Sequence, residues 1–182
     1  MSPDGNLETL MAAYQGGDFG AATALVEQLS PQLHRFFVGQ RASRRDVDDL
    51  LQETWLRIHK VRHTYRPGEP VLPWFYAIAR RVRVDHYRKS IRTVSGQQAM
   101  EDMSRIAAPA SAESGQSDGL TALLAPLSEG EREVIEMLKV EGMSLEEVAR
   151  ATSCTVGSVK QKVHRAYKKL RETMSAAAFR KG

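Results

Sequence analysis

The stretch from Met143 to Arg171, MSLEEVARATSCTVGSVKQKVHRAYKKLR, constrains the fold of this chain more than any other. Ser144 and Glu147 have the S-x-x-E spacing of a capping box, which opens a helix. Leu145, Val148 and Ala149 follow at helical intervals. Thr152, Ser153 and Cys154 break the pattern, and Thr155 can cap a second helix through its hydroxyl. In that helix Val156, Val159, Val163, Tyr167 and Leu170 share one face. The opposite face carries Ser158, Gln161, Arg165 and Lys168, with Lys162, His164 and Lys169 beside it. A buried stripe under a cationic, hydrogen-bonding ridge is what a helix-turn-helix needs, the first helix bracing while the second enters the major groove. Lys160, Lys162, Arg165, Lys168, Lys169 and Arg171 are offset only by Glu172, and such a ridge neutralises phosphates. The plain alternative is a solvated basic face on a helical hairpin.

With 182 residues, 42% of them hydrophobic, the chain has room for one large or two small domains. The net charge of +4 makes a polyanionic partner plausible. A single cysteine, Cys154, excludes an internal disulfide framework and a cysteine-cluster zinc site, and fits a reducing cytosol. No apolar run is long enough to span a bilayer, and early acids without a basic segment argue against a signal peptide, so a cytoplasmic location is expected. His34, His59, His63, His86 and His164 are scattered without ligand spacing. No catalytic residue, metal or cofactor is expected.

The N-terminal part reads as helical scaffold. Leu7, Leu10, Met11 and Tyr14 form a short amphipathic helix ended by Gly16 and Gly17. Asp18 caps the next, lined by Ala22, Leu25, Val26 and Leu29; Ser30-Pro31 is expected to start a third, facing Leu33, Phe36 and Phe37 inward. The following helix starts at Ser43 and Asp46 and buries Val47, Leu50, Leu51, Thr54, Ile58 and Val61. Its other side presents Asp49, Gln52, Glu53 and Leu56, an acidic face with an exposed leucine suited to docking a protein partner. Its carboxylates have no convergent partner, which argues against acid–base or metal chemistry. Prolines and a glycine between His63 and Pro73 predict an ordered loop. Pro73 suits the start of the next helix, with Trp74 at its mouth. Phe75, Ile78, Ala79 and Val82 are expected inward, and Tyr76, Arg80, Arg81, Tyr87 and Arg88 outward. Arginines interleaved with aromatic rings suit single-stranded nucleic acid, with rings stacking on bases and guanidiniums on phosphates. From Arg80 to Arg92 only Asp85 opposes Arg80, Arg81, Arg83, Arg88, Lys89 and Arg92. Ser95 to Asp118 is rich in Ser, Ala, Gly and Gln and reads as a flexible linker, with at most a weak turn near Met100–Ile106. A second unit then opens with Leu120, Leu123, Leu124 and Leu127; Ser128 and Glu131 make another capping box, Val134, Ile135 and Leu138 continue its core, and Gly142 ends the helix.

Together these stretches resemble bacterial sigma factors of the extracytoplasmic-function type, the short two-domain branch. D-D-L-L-Q-E-x-W at Asp48–Trp55 is similar to that family's polymerase-docking helix, and W-F-Y-A-I-A-R-R-x-x-x-D-x-x-R at Trp74–Arg88 to its promoter-melting helix. L-S-x-x-E-R-E-V-I at Leu127–Ile135, E-E-V-A at Glu146–Ala149 and V-G-S-V-K-x-x-V-H-R-A at Val156–Ala166 look like its −35-reading domain. The resemblance runs from about Leu7 to Glu172 apart from the linker. It implies that Asp48, Asp49, Gln52, Glu53 and Leu56 bind the clamp helices of core RNA polymerase. It implies that the loop Thr64–Pro73 with Trp74, Tyr76, Arg80, Arg81, Tyr87 and Arg88 opens the −10 element and captures an unstacked base. It implies that Thr155, Ser158, Lys160, Gln161, Lys162, His164, Arg165 and Lys168 contact the −35 element, and that an anti-sigma factor holds the protein inactive. Arg81 stands where asparagine is usual, Ser153 where a turn glycine is frequent, and Gln161 and Tyr167 where serine and arginine are common, so the promoter sequence is not legible here.

The reading is an all-α, non-enzymatic sigma factor, monomeric outside its complexes and without a small-molecule substrate. Residues 1–94 form the polymerase-docking and −10 domain, 95–118 the linker, 119–174 the −35 domain and 175–182 a frayed tail. The alternatives are a conventional dimeric helix-turn-helix regulator, an enzyme acting on nucleic acid, and a regulatory decoy that never reaches DNA. The first would share the helix-turn-helix but would need neither the acidic helix nor the arginine–aromatic one; the enzyme would need converging carboxylates, a nucleophile–base pair or metal ligands; and the intact basic face argues against the decoy.

Overall fold

Local side-chain caps set the helix starts. The computed structural model describes residues 6–40, 42–94 and 123–179, and all of its regular structure is helical. Asn6 opens α1 (Leu7–Gln15) by accepting the Glu8 amide. Asp18 takes the amides of Gly20 and Ala21 at the head of α2 (Phe19–Gly39), and Ser43 that of Asp46 at the head of α3 (Arg44–Val61). Each supplies an acceptor to amides that have no partner in the first helical turn. A short 3₁₀ turn, Arg62–Thr64, follows α3, and Gly68, with φ 89°, makes the bend into α4 (Val71–Val94). There Glu8 of α1 reaches across to accept the Val71 amide at 3.2 Å.

Two boundaries differ from the expectation. Pro31 does not start a third helix: α2 runs through it unbroken. Leu25, Leu29, Leu33 and Phe36, all buried, form one stripe on both sides of Pro31, and that burial outweighs the hydrogen bond the proline lacks. The loop ends sooner than Pro73, because α4 begins at Val71 and places Pro73 in its first turn, where a missing N–H is tolerated.

The C-terminal unit comprises α5 (Glu129–Ile135), a π-turn (Glu136–Val140), α6 (Leu145–Thr152) and α7 (Val156–Phe179). Capping boxes at Ser128/Glu131 and Ser144/Glu147 open α5 and α6. Gly142, at φ 68°, turns the chain between them. Ser153 ends α6 in the left-handed region, φ 54°, and is the one non-glycine with positive φ among the described residues. Thr155 then caps α7 by accepting the Ser158 amide at 3.2 Å. On α7 the core-facing stripe is Val159 and Ala166, buried, with Val163 and Leu170 partly buried beside them; Tyr167, expected inward, is 41% exposed. Ala166 fits between the helices where a phenol ring would not. α7 continues to Phe179, into the span read as a frayed tail, carried by the helix-favouring Ala176–Ala178. Leu120, the Met100–Ile106 turn and the linker lie outside the described residues.

Among the described residues the two units share a core. One apolar cluster lies within the N-terminal helices around Met11, Leu25, Leu29, Ile58 and Phe75. Another joins Leu33, Phe36, Phe37, Tyr76 and Ala79 to Val134, Met137, Val148 and Ala151 of the C-terminal unit. α4 therefore lies between its own bundle on one side and α6 on the other.

Candidate nucleic-acid interface

On α3, the period that buries Val47, Leu50, Thr54 and Ile58 turns Asp48, Asp49, Gln52 and Glu53 to solvent, and Leu56 is 49% exposed. Together with Val82, Asp85, His86 and Lys89 of α4, Asp49, Gln52, Glu53 and Leu56 line an open cleft. Arg57 staples that cleft, pairing with Asp85 at 2.8 Å and Glu53 at 3.2 Å. The hydrogen bond from Arg57, and the nearby charges of Arg88 and Arg81, hold the Asp85 carboxyl below its ordinary range.

α4 divides its predicted residues into two groups. Trp74 is half-buried at the helix mouth, edge-on to Tyr65 and Phe75, with its indole N–H 3.4 Å from the Thr64 hydroxyl. Arg81 and Arg88 are exposed and Tyr87 is half-buried. Tyr76, expected outward, is buried instead, its ring edge-on to Phe36 at 5.2 Å. Burial, with Glu141 nearby, pushes its phenol far above the ordinary range. Arg80 is held by Glu133 of α5 at 3.0 Å. The reason is the second packing face of α4: the side that carries Tyr76 and Arg80 lies against the C-terminal unit.

On α7, Lys160, Gln161, His164, Arg165 and Lys168 form an exposed ridge, as the sequence implied. Thr155 is exposed at the helix start, and Ser158 and Lys162 are half-buried, Lys162 Nζ lying 3.5 Å from Cys154 Sγ. Lys169 is turned away from the ridge and pairs with Glu131 at 2.7 Å. Burial raises the Glu131 carboxyl, but its hydrogen bonds from Lys169 and Ser128 outweigh that and leave it below the ordinary range. Among the described residues no cluster of His, Cys, Asp and Glu is placed to hold a metal ion.

Sequence reasoning did not single out the polar residues where the units meet. Gln40 Nε2 donates to Glu136 Oε2 at 2.6 Å, Arg83 pairs with Glu129, and Arg150 of α6 pairs with Glu69 at 2.6 Å. The only signal was a row of acids inside an apolar helix, Glu129 to Glu136, which reads as a solvated face until its partner surface is known.

Comparison with known proteins matches both halves. Residues 25–93 match the family Sigma-70 region 2, and residues 117–170 the family Sigma-70, region 4. The chain is 30% identical over 172 residues to the ECF RNA polymerase sigma factor SigF of Caulobacter vibrioides, covering 94% of this chain and 95% of that one. It is 31% identical over 169 residues to the RNA polymerase sigma factor CarQ of Myxococcus xanthus, covering 90% and 95%. Among solved structures, it is similar to the sigma factor RpoE from Bartonella quintana, determined in complex with the anti-sigma factor NepR. That match has a TM-score of 0.66 and 25% identity over 82% of this chain and 94% of that one.

Proposed function

This chain belongs to the extracytoplasmic-function (ECF) family of RNA polymerase sigma factors, and we propose how its faces divide the work of promoter recognition. A sigma factor binds core RNA polymerase and directs transcription initiation at specific promoters. In our reading the acidic face of α3, with Asp48, Asp49, Gln52, Glu53 and Leu56, docks on the polymerase. Trp74, Tyr76, Arg80, Arg81, Tyr87 and Arg88 of α4 open and read the −10 element. The ridge of α7, from Thr155 through Lys168, reads the −35 element.

The observation that carries this reading is the α7 ridge: Lys160, Gln161, Arg165 and Lys168 stand exposed on a helix whose other face is locked into the core by Val159 and Ala166. Phosphate contacts from lysines set register, and the few side chains facing base edges select sequence. The chain itself carries out no reaction; it lends specificity to a catalytic partner. No described helix is long and apolar enough to cross a membrane, and the site of action we propose is the cytoplasm. The RpoE relative was solved with an anti-sigma factor. We extend that kind of partner to this chain, which would then be released by a stress or envelope signal.

Reconstituted transcription tests the proposal. Purified protein is added to bacterial core polymerase with a library of promoter fragments, and the run-off products are sequenced. Starts that depend on the protein, sharing two upstream motifs, support it. No binding to core polymerase and no gain in promoter specificity would leave a conventional regulator as the account.

A further inference from the structure

The loop between α3 and α4 closes local turns of its own, Tyr65 N–H to the Arg62 carbonyl at 3.2 Å and Glu69 N–H to the Arg66 carbonyl at 3.1 Å. Both of its ends are also tied to α1, which precedes the span that matches Sigma-70 region 2. Near the start of α1, Glu8 Oε1 accepts the amide of Val71, the first residue of α4, at 3.2 Å. At the end of α1, Gln15 Nε2 donates to the carbonyls of Arg62 at 2.6 Å and Tyr65 at 2.8 Å. An amide nitrogen carries two N–H groups, and Gln15 directs one at each carbonyl. A rise of ~1.5 Å per residue sets these two holds about 10 Å apart along the helix. Between them the Tyr14 hydroxyl meets His59 Nδ1 at 2.6 Å, and the Arg62 guanidinium lies 5.7 Å from the centre of the Tyr14 ring. Met11 and Tyr14 seat α1 in one apolar cluster with Tyr65, Val71 and Phe75.

Tyr65 carries the hold from α1 into the loop. Its carbonyl is an acceptor for Gln15, and its hydroxyl donates to the Glu69 carbonyl on the far side of the loop. Its buried ring is edge-on to Trp74 at 5.8 Å. Burial, with the Glu8 and Glu69 carboxylates nearby, raises its phenol, so the hydroxyl stays a donor at neutral pH. The tip from Arg66 to Glu69 is exposed, and Gly68 bends it at φ 89°.

We propose that α1 is a strut that sets the shape of the −10 loop, with Glu8 and Gln15 as positioning residues that act through Val71, Tyr65 and Trp74. The inference rests on reading Thr64–Pro73 with Trp74 as the element that captures an unstacked base. A loop that is ordered only when the base arrives loses affinity to that ordering, and a loop already braced does not. Supporting hydrogen bonds of this kind hold a binding site to its productive geometry. The α3 docking residues and the α7 ridge take part in none of these contacts, so neither is expected to respond when the strut is cut.

The test uses the full chain bound to core polymerase. The probe is the labelled single-stranded −10 segment of a promoter recovered by the run-off selection. Glu8→Ala removes an acceptor, and Gln15→Glu turns a double donor into an acceptor facing two carbonyls. Each is expected to weaken strand binding about fivefold. Glu8→Gln keeps an oxygen for the Val71 amide and is expected within about twofold of wild type. Affinities for core polymerase and for −35 duplex are expected to hold in every variant. Hydrogen exchange across residues 62–71 is expected to quicken in Glu8→Ala and Gln15→Glu but not in Glu8→Gln. If Gln15→Glu loses its helical circular dichroism, Gln15→Ala takes its place. Strand affinity unchanged in Glu8→Ala and at Gln15 overturns the inference. So does an equal loss of core-polymerase affinity, which would make α1 general scaffold. If the wild-type holoenzyme itself fails to bind the strand, the −10 reading falls and takes the positioning role with it. Unchanged hydrogen exchange would instead overturn the strut alone.

Discussion

Replacing Glu136 by Gln should stabilise the folded chain above neutral pH and destabilise it slightly in acid. Glu136 is 6% exposed, between Gln40 and the Gly39 backbone, and burial raises its carboxyl from 4.5 to about 7. An acid whose folded value is raised binds its proton more tightly when folded. Its ionisation therefore opposes folding, beginning as pH passes 4.5 and complete above 7. The difference of about 2.5 units, at ~1.36 kcal/mol each, amounts to roughly 3 kcal/mol. Gln keeps the oxygen that accepts from Gln40 but adds an amide N–H₂ with no assured acceptor. That costs about 1 kcal/mol at every pH. The net expectation is a gain of about 2 kcal/mol at pH 8 and a loss of about 1 kcal/mol at pH 4. Asp85 and Glu131 act in the opposite sense: their values are lowered, so their contributions are present above the ordinary carboxylate range and lost as pH falls through it. They are common to both proteins and cancel in the difference. Urea unfolding followed by circular dichroism, at half-unit steps from pH 4 to 8.5, measures the two curves. If the curves run parallel across that range, Glu136 does not titrate in the folded chain and the reasoning is refuted.

Three further outcomes are expected. Arg165→Ala should weaken binding to −35 duplex by about 1–3 kcal/mol if Arg165 makes a bidentate base contact; unchanged affinity at low salt would remove it from the reading set. Glu53→Lys should weaken core-polymerase binding about tenfold or more, because a cation replaces an anion on the docking face. It should leave duplex affinity and stability nearly unaltered, since the exposed Glu53–Arg57 pair is worth at most about 1 kcal/mol; equal polymerase affinity would count against that face. Ser153→Gly should raise the melting temperature by one or two degrees. Relief of the left-handed strain at φ 54°, about 1–2 kcal/mol, exceeds the extra freedom glycine gains on unfolding; a lower melting temperature would show that the serine is not strained.

The α7 ridge and the α3 acidic face were legible before any coordinates, because each depends on one helix with one clear period. Thr155, Ser144 and Ser43 announced helix starts, since a cap involves residues within four of one another. Pro31 misled because a local rule about proline was overridden by a stripe of buried leucines on either side of it. Tyr76 misled for a different reason. α4 is buried on two sides, and a helix between two partners has no single outward face for a period to reveal.

The sequence by itself determined that the chain is helical, where most helices begin, which side of α3 and α7 is polar, and that it belongs among the sigma factors. Its order of motifs carried the functional reading. The tertiary structure alone decided which apolar face meets which. The Gln40–Glu136 contact joins residues 96 apart in the chain, and Arg80–Glu133 residues 53 apart. Helical periodicity reports that a face must be covered, but it carries no information about the distant surface that covers it. That pairing, and with it the masking of Tyr76 and Arg80, emerges only when both surfaces are folded and their shapes and charges can meet.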